Sequence, residues 1–432
     1  MPSLLTKPKK VLIETYGCTL NQADSDIMKQ LLENNGYSVD EKEEGAAYDF
    51  VILNTCTVKK VTEQKILHRI GKLKMMGSNL IVCGCMASAN KEIITNASPK
   101  ASIISTSNVN RIAETIASIE SGASAQENAY QRLDKSSLIP VLNSIIARIP
   151  ISEGCLSNCS FCETKFARGP LNSFSQDVLL NAIKMNINAG AKEIELTSQD
   201  TGAYGIDKGT NIAELVSKAS DIEGKFRIRI GMLNPQHLRK YFDDLLEAYK
   251  SEHVYKFIHI PVQSGSDSVL KDMERLYTVD EFVWYCKELE KKIPGINIAT
   301  DIIVGFPTET EDDFNATMDL LKEVEPNITN VSKFAKRPHA KASSLRQLSN
   351  EVVKKRSVEA SRLSRQLQTE KRKALIGTKR EVLVNEKGAK SFMGRDEYYY
   401  EVAFIDTAPF GEFVDAEVVG VSPGSLLARQ CE

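Results

Sequence analysis

The sequence predicts an α/β protein in three parts: a parallel sheet with crossover helices, an open β/α barrel and a small antiparallel β-barrel. Its 432 residues are enough for about three domains. Short apolar runs alternate with helical stretches in two regions, about 10–120 and 145–340, and this alternation is typical of parallel sheets. After about residue 375, short strands punctuated by glycines replace the helices, which favours a small barrel.

The first region contains four candidate strands separated by helical stretches. The strands fall at 11–15, 49–53, 80–82 and 101–104, and the clearest helices at 24–34 and 61–75. Because strands and helices alternate, the strands are expected to lie parallel in a flavodoxin-like sheet. The predicted domain covers residues 1–122, and a small, polar linker follows at 123–144.

The second region repeats the strand–helix unit six times. Its candidate strands lie at 147–151, 193–196, 227–230, 257–260, 296–304 and 328–331, with helices such as 178–189 and 282–291 between them. Six units predict a partial (β/α)6 barrel over residues 145–365, short of the closed eight-unit form. A helix at about 350–375 leads into the last domain, 366–432, whose strands are expected at 380–384, 398–403 and 416–419.

Composition excludes several classes of protein. Hydrophobic residues make up 42% of the chain and charged residues 26%, so it can form ordinary cores and is not disordered. No run approaches the roughly 18–20 apolar residues of a membrane span, and no signal peptide is recognisable, which predicts a cytoplasmic protein without a membrane anchor. Nine cysteines without an export signal favour metal binding or catalysis over disulfides.

Positive charge is concentrated in one segment of a chain whose net charge is only -2. Between residues 333 and 380 there are fifteen lysines and arginines and three acidic residues, an excess of twelve positive charges. Such an excess predicts a polyanionic partner, most often a nucleic acid. A solvated basic helix is the alternative explanation of the same charge run.

Three cysteines form a CxxxCxxC motif directly after the first strand of the partial barrel: Cys155, Cys159 and Cys162. Three thiolates on one loop can bind three irons of a cubane cluster, which leaves the fourth iron open to a substrate. Zinc normally takes four ligands, usually as two pairs, and no second pair follows nearby. The spacing therefore favours an iron–sulfur cluster over zinc and over a group of inert buried cysteines.

Three further cysteines each follow a strand of the N-terminal sheet: Cys18, Cys56 and Cys85. The carboxyl ends of parallel strands meet at one edge of a sheet, so these thiols are expected to converge into a second three-thiolate site. Buried, unreactive cysteines at strand ends are also common, and that alternative stays open. Cys83 and Cys286 are predicted to be core residues.

Polar loops end the second, fourth and fifth strands of the partial barrel, where β/α folds place their chemistry. These loops lie at 197–200, 259–266 and 301–310. Turn formation alone explains each of them about as well. Their position at the same end of the barrel as the cysteine motif nevertheless favours a cofactor site.

The CxxxCxxC motif after the first strand of a six-unit β/α domain resembles the radical S-adenosylmethionine (SAM) superfamily. A three-cysteine α/β domain, such a barrel and a small terminal barrel, in that order, are similar to the methylthiotransferase family over about residues 9–425. The matching blocks are 17–26, 54–56, 168–169, 229–235, 261–266 and 273–278. Residues 19–21 and 163–169 resemble the archaeal and eukaryotic branch, which acts on tRNA carrying N6-threonylcarbamoyladenosine next to the anticodon.

The resemblance implies one 4Fe-4S cluster on the CxxxCxxC motif, which binds SAM, and a second 4Fe-4S cluster on the three N-terminal cysteines, which presents sulfur. SAM serves the family both as methyl donor and as source of the radical that removes hydrogen from C2 of the adenine. The residues expected to contact SAM are Gln199, Asp200, Arg229, Gln263, Ser264, Gly305 and Pro307. The implied partners are the tRNA anticodon stem-loop and an electron-donor protein, and the enzyme is expected to be a monomer.

The terminal barrel resembles the TRAM domain, an RNA-binding module, but from residue 381 onward it holds ten acidic and four basic residues. Because such a surface repels phosphates on average, most phosphate contacts are expected from the basic segment. The residues predicted to make them are Arg337, Lys355, Arg356, Arg362, Arg365, Lys371 and Arg372. The tyrosines at 398–400 are either stacking platforms for anticodon bases or, more commonly for strand aromatics, core residues. At 337–340 the chain has Arg-Pro-His-Ala where relatives tend to have Arg-Pro-Gly-Thr.

Other functions remain compatible with the sequence. The same chemistry acts on isopentenyladenosine in tRNA or on a ribosomal protein in other branches of the family. A non-enzymatic iron–sulfur or zinc RNA-binding protein would also share the cysteines and the basic segment. The nucleoside composition of tRNA separates the first alternatives from the tRNA threonylcarbamoyladenosine assignment, and formation of 5′-deoxyadenosine from SAM separates an enzyme from a binding protein.

Overall fold

The structure, a computed structural model, describes residues 8–43, 47–58, 60–122, 126–127, 134–388 and 391–431. The N-terminal elements, in chain order, are β1 (Lys10–Thr15), α1 (Thr19–Asn34), β2 (Ser38–Asp40), β3 (Phe50–Thr55), α2 (Lys60–Met75), β4 (Asn79–Gly84), α3 (Cys85–Ala89), α4 (Lys91–Ala97), β5 (Ser102–Ile104), α5 (Ile112–Glu120) and β6 (Gln126–Glu127). The strands form one parallel sheet in the order β2-β1-β3-β4-β5-β6.

This order confirms the flavodoxin-like prediction. Helices α1 and α5 pack on one face of the sheet, and α2 and α4 pack on the other, so each face buries its own apolar cluster. The prediction omitted β2 and β6, because strands of three and two residues leave no periodic signal. Residues 123–125 and 128–133 of the predicted linker lie outside the described residues.

The central part is built from six parallel strands and their helices. Its elements are β7 (Ile146–Pro150), β8 (Ser152–Glu153), α6 (Thr164–Arg168), β9 (Asn172–Ser173), α7 (Gln176–Asn188), β10 (Glu193–Thr197), α8 (Ile212–Ser220), β11 (Arg227–Ile230), α9 (Pro235–Leu238), α10 (Phe242–Ala248), β12 (Phe257–His259), α11 (Asp267–Asp272), α12 (Val279–Lys292), β13 (Asn297–Val304), α13 (Glu311–Val324) and β14 (Ile328–Lys333). The strands form two halves, β11-β10-β7 and β12-β13-β14, while β8 and β9 pair as a small antiparallel ribbon.

The two halves together make the predicted partial (β/α)6 barrel. They are joined where the Leu233 N–H donates to the His259 carbonyl (2.8 Å) and the Tyr255 N–H donates to the Ile228 carbonyl (3.0 Å). Helices α12 and α13 begin with capping boxes at Thr278 and Thr310, whose hydroxyls accept from the backbone N–H three residues later. These caps fix the loops at the carboxyl ends of the strands, which is the end that carries the cysteine motif.

The C-terminal part begins with the basic helix α14 (Asn350–Lys373), and the predicted domain boundary at 365 falls inside this helix. The strands that follow are β15 (Lys379–Lys387), β16 (Phe392–Asp396), β17 (Glu401–Phe404), β18 (Phe413–Val421) and β19 (Leu426–Gln430). They close into a barrel in the order β15-β16-β17-β19-β18, as predicted in outline. None of the helices in the described part of the chain has the length and apolar character needed to span a membrane.

The predicted strand at 398–403 is wrong in its first half, because Tyr398 to Tyr400 form the turn between β16 and β17. Tyr399, with φ +64°, packs its ring against Tyr255 (4.8 Å between centroids) and Phe257 (5.0 Å). The Tyr400 hydroxyl accepts from Asn327 Nδ2 (2.6 Å). The turn therefore docks the terminal barrel onto the amino ends of the central strands, and Tyr399 and Tyr400 do not offer free faces for stacking on anticodon bases.

Asp396 holds this turn from inside the protein. Its Oδ1 accepts from the N–H groups of Tyr398 (3.1 Å) and Tyr400 (2.7 Å), and the side chain is fully buried. Burial, reinforced by the neighbouring Glu397, raises the pKa of Asp396 to about 7. Since this pKa lies above that of the unfolded chain, ionising Asp396 lowers the free energy of unfolding as the pH rises from about 4 to 7.

Replacing Asp396 by asparagine is therefore expected to raise stability more at pH 8 than at pH 5.5, by a difference on the order of 2 kcal/mol. The asparagine Oδ1 still accepts both backbone bonds but carries no charge. Thermal unfolding at the two pH values measures the effect, with Asp415→Asn on the exposed side of β18 as control. An equal shift at both pH values contradicts the prediction.

Candidate active site

Cys155, Cys159 and Cys162 lie together on the loop between β8 and α6, at the carboxyl end of β7. The Cys162 N–H donates to the Cys159 carbonyl (3.1 Å), which curls the loop. Arg275 Nη1 donates to Cys159 Sγ (3.3 Å). Burial raises the pKa of the Cys155 thiol to about 12, and the Asp200 carboxylate acts in the same direction. Binding a metal to these thiols must therefore release protons.

Cys18, Cys56 and Cys85 come from the ends of β1, β3 and β4, and the structure brings them together. Asn21 Oδ1 accepts from Cys18 Sγ (3.5 Å) and from Cys85 Sγ (3.8 Å). Gly17, with φ +144°, lies so close to Cys56 that a Cβ added to the glycine would stand 3.0 Å from the Cys56 Cβ. The parallel sheet thus positions three thiols that are far apart in sequence around one point.

The donor set suits an iron–sulfur cluster better than a single metal ion. Among the described residues, no three His, Cys, Asp or Glu side chains gather closely enough to hold one ion. A lone zinc requires its sulfur ligands at about 2.3 Å. A cubane cluster instead distributes its thiolates over separate irons, so the ligands stand farther apart. Both groups of three cysteines fit the second case.

One cavity of about 690 Å³ lies beside the CxxxCxxC loop and the residues that follow Cys56. Thr57 and Val58, which follow Cys56, line one side of it, and Cys162 lines the other. The remaining wall comes mainly from β13, β14 and Gln263. Of the six cysteines, only Cys162 is among the residues that line the cavity, and the N-terminal group adjoins it through the two residues after Cys56.

Two of the residues predicted to contact SAM have polar or cavity-lining positions open to a ligand. Gln263 lines the cavity with φ +75°, and its N–H donates to the Asp301 carbonyl (2.8 Å). Gln199 Oε1 is buried and has no hydrogen-bond partner among the described groups, so it is free to accept from a ligand. Pro307 is half-buried in the loop after β13.

Three others hold the protein's own loops. Asp200 Oδ1 accepts from the N–H groups of Gly202 (3.0 Å) and Asn234 (3.1 Å). Ser264 is fully buried, and its hydroxyl accepts from the Ser266 N–H (3.2 Å). Gly305 has φ +76°, and a Cβ there would stand 2.6 Å from a methyl of Val353, so this glycine is needed for the packing of α14.

Arg229 lies in surroundings that the prediction did not include. Its guanidinium lies over the rings of Phe257 (5.6 Å to the centroid) and Tyr399 (5.3 Å), at the end of the central barrel where the terminal barrel docks. These ring contacts contribute to that docking. This contact could not be predicted from the sequence, because Tyr399 is far away along the chain.

The basic segment also needs correction at three positions. Arg337 donates to Glu63 (2.8 Å), Arg356 donates to Glu309 (2.6 Å), and Arg372 donates to the Pro423 carbonyl (2.9 Å). All three side chains are at most 6% exposed. They are internal ties between elements, which removes them from the predicted phosphate-binding surface.

The exposed cations of α14 form one stripe. Lys354, Lys355, Arg362, Arg365 and Lys373 are exposed. At about 100° per residue they fall within roughly 100° around the helix, whereas Ala360, Ser364 and Leu367 are buried on another side. Lys371 is half-buried and lies 3.9 Å from Glu290. This basic stripe is the part of the predicted phosphate surface that the structure leaves accessible.

His339 contacts two other segments of the chain. Its ring stacks on Phe166 of α6 (3.6 Å between centroids), and its Nε2 lies 2.9 Å from the Ala89 carbonyl of the N-terminal sheet domain. The turn at 337–340 therefore packs against both cysteine-bearing parts. The sequence alone did not predict these contacts of the turn.

Sequence reasoning missed several polar side chains at the cavity and the cysteines. His259 Nε2 lies 3.1 Å from Asp301 Oδ2, and Asn330 Nδ2 donates to Asp301 Oδ1 (2.9 Å). Polar residues in strands that are otherwise apolar were the available signal for these. Arg168 and Arg275, which contact cysteine sulfurs, gave a weaker signal, because only tertiary structure shows what a buried arginine faces.

Three regions match known families. Residues 10–106 match the family described as Uncharacterized protein family UPF0004, residues 149–321 match the Radical SAM superfamily, and residues 373–430 match the TRAM domain. Among solved structures, the radical S-adenosylmethionine methyltransferase TsrM from Kitasatospora setae superposes with a TM-score of 0.56 at 12% identity. The superposition covers 78% of this chain and 77% of that chain and shows a shared fold.

Curated relatives span nearly the whole chain. The probable threonylcarbamoyladenosine tRNA methylthiotransferase of Pyrococcus horikoshii is 38% identical over 97% of this chain and 99% of its own length. The threonylcarbamoyladenosine tRNA methylthiotransferase of Homo sapiens is 34% identical over 96% of this chain and 73% of its own length. These matches confirm the resemblance inferred from the motifs. With its three-domain order and its two converging cysteine sites, the chain belongs to the radical SAM family of threonylcarbamoyladenosine tRNA methylthiotransferases.

Proposed function

We propose that this protein adds a methylthio group to C2 of N6-threonylcarbamoyladenosine next to the anticodon of tRNA. The observation that carries the proposal is the cavity lined by Cys162 on one side and by Thr57 and Val58, the two residues after Cys56, on the other. One site is suited to cleave SAM and the other to deliver sulfur, and a cavity between them can hold the adenine. The near full-length similarity to relatives bearing this name supports the choice of substrate.

Members of the radical SAM superfamily use an iron–sulfur cluster and SAM, and we propose two 4Fe-4S clusters here. Cys155, Cys159 and Cys162 would hold one, and the other three cysteines would hold the second. When bound, these groups supply a radical, a sulfur atom and a methyl group. The chain's own residues orient and enclose the bound groups. Gln199 offers a buried hydrogen-bond acceptor, and Gln263, with its positive φ, forms a strained turn at the cavity wall.

The polarity of the cavity favours threonylcarbamoyladenosine over isopentenyladenosine. Lys60, Glu163, Asp301, Asn330 and Lys333 all line it. A threonylcarbamoyl group carries a carboxylate, a hydroxyl and a urea unit, which such residues can bind. An isopentenyl group has only carbon and hydrogen, so it can form no hydrogen bond with these residues.

An anaerobic assay with SAM, dithionite and reconstituted protein tests the proposal. We expect methylthio product on an anticodon stem-loop carrying threonylcarbamoyladenosine, with less than a tenth of that rate on the isopentenyladenosine stem-loop or on ribosomal protein. Equal or higher activity on either of the other substrates would overturn the assignment. If 5′-deoxyadenosine does not form with any substrate, the protein is a binding module and not an enzyme.

The basic stripe of α14 is the proposed phosphate contact for the tRNA, which the protein would bind as a monomer, with an electron-donor protein as reductant. Replacing Arg362 and Arg365 together by glutamine is expected to weaken tRNA binding about tenfold at moderate salt and to reduce the slope of log K against log salt by about 1.5–2. Filter binding over a salt series measures both quantities.

The matched control replaces Lys184 and Lys208, two exposed lysines of the central domain outside the stripe, by glutamine. Because both double variants lose two positive charges, any effect of net charge alone is shared. If the control weakens binding as much as the Arg362/Arg365 variant, the stripe has no specific role.

A further inference from the structure

Each cysteine site has one buried arginine that donates to a ligand sulfur. We propose that Arg168 and Arg275 are positioning residues that set the reduction potentials of the two clusters separately, Arg168 through Cys85 and Arg275 through Cys159. The inference rests on the proposed pair of clusters and goes beyond it, because it assigns each cluster its own control residue.

Arg168 lies at the end of α6, only six residues after Cys162, yet it serves the other site. Its Nε donates to Cys85 Sγ (3.2 Å), and its Nη2 donates to Asn21 Oδ1 (3.2 Å). Asn21 in turn contacts the Cys18 and Cys85 sulfurs. The loop that carries the first cysteine site therefore also supplies the cationic partner of the second.

Buried carboxylates hold the Arg168 guanidinium in place. Nη2 donates to Asp24 (2.8 Å) and Nη1 donates to Glu153 (2.9 Å), while the buried Lys135 ammonium pairs with the same two carboxylates (2.7 and 2.9 Å). The Arg168 side chain is about 2% exposed. Because these contacts hold the guanidinium in one orientation, its Nε can donate to the sulfur without a further loss of side-chain entropy when a cluster binds.

Arg275 makes the equivalent contact at the other site. Its Nη1 donates to Cys159 Sγ (3.3 Å), its Nη2 donates to the Pro261 carbonyl (3.1 Å), and its Nε donates to the Tyr277 hydroxyl (2.9 Å). No carboxylate is involved in these three bonds. Arg275 therefore keeps its full positive charge beside the sulfur, whereas the charge of Arg168 is balanced by Asp24 and Glu153.

This difference has a redox consequence. A cationic hydrogen bond to a thiolate ligand favours the more negative, reduced form of a cluster and raises its reduction potential. The effect is weakened where carboxylates neutralise the cation. The geometry therefore makes the SAM-binding site easier to reduce than the sulfur-presenting site, which directs the incoming electron to SAM.

The test compares Arg168→Lys with Arg275→Lys in the reconstituted full-length protein, by EPR-monitored redox titration without tRNA. Lysine keeps the charge but loses the fork that reaches the sulfur and the other partners together. We expect Arg168→Lys to change the oxidised-to-reduced ratio of the second cluster alone by about tenfold at fixed ambient potential, and Arg275→Lys to do the same for the SAM cluster alone. The control is Arg148→Lys, which pairs with Asp26 and Glu195 and contacts no cysteine.

Iron and sulfide content provide the second measurement. Loss of iron from the cluster that the replaced arginine contacts would overturn the proposal, because the arginine would then be needed to hold the cluster and not to set its potential. Unchanged potentials at full iron content, or equal changes at both clusters, overturn it. Because neither measurement needs tRNA, a wrong substrate assignment would not affect the outcome, and a wild type with four irons instead of eight would show that the two-cluster proposal itself had failed.

Discussion

Replacing Cys155, Cys159 and Cys162 together by alanine is expected to abolish 5′-deoxyadenosine formation and to lower bound iron and sulfide to about half of the wild-type value. The three thiols lie on one loop, so no remaining side chain there can hold the cluster. The N-terminal cysteines lie on a different sheet and keep their own site. Anaerobic reconstitution, metal analysis and chromatography of the SAM products measure the three quantities.

The matched control is Cys286→Ala. Cys286 is buried on α12 in the apolar core of the central domain, outside both cysteine groups. It should keep full iron and SAM cleavage, although removing a buried sulfur costs some stability. If the triple variant retains more than about three quarters of the iron, the two sites do not carry clusters of the same size.

The convergence of the cysteines could be expected from the sequence, because it follows from topology alone. Parallel strands place their carboxyl ends at one edge, so Cys18, Cys56 and Cys85 had to approach one another once the strand order was right. The proximity of the three CxxxCxxC cysteines could be predicted even without the strand order, since these residues share one loop. In both cases the chemistry is carried by backbone geometry, which short apolar runs reveal well.

The roles of the charged residues could not be read in the same way. Arg337 pairs with Glu63, which is 274 residues earlier in the chain, and nothing local distinguishes it from an exposed cation such as Arg362. The excess of positive charge therefore predicted that the segment has a basic surface, but it also assigned buried arginines such as Arg337 to that surface. Burial and pairing of a long side chain depend on which distant element packs against it.

The tyrosine turn shows the same limit for aromatic residues. Alternation predicted a strand through Tyr398, Tyr399 and Tyr400, but the buried carboxylate of Asp396 captures two N–H groups and turns the chain there. Asp396, just before these tyrosines, was a local signal for a turn, but the alternating pattern typical of a strand outweighed it in the prediction. The error mattered for function, because stacking on anticodon bases was one of the two roles considered for these tyrosines.

Replacing Cys18, Cys56 and Cys85 together by alanine is expected to separate the two halves of the reaction. SAM cleavage to 5′-deoxyadenosine should persist, because Cys155, Cys159, Cys162 and the Arg275 contact remain. Formation of the methylthio product should fall at least 100-fold, since the proposed sulfur-presenting site, whose Cys56 precedes the cavity-lining Thr57 and Val58, is lost. Mass spectrometry of nucleosides from the treated stem-loop, alongside 5′-deoxyadenosine quantification, gives both values from one reaction.

Cys83→Ala is the control for this variant, because Cys83 lies in β4 two residues before Cys85 but is buried in the sheet core. It should keep both activities, so any general damage to the N-terminal sheet can be distinguished from loss of the site. Product formation by the triple variant at the wild-type rate would show that the sulfur does not come through these cysteines. Loss of SAM cleavage together with the product would mean that the two sites are not independent, and Arg168, which bonds Cys85 from the loop of the other site, is the contact through which that dependence would have to act.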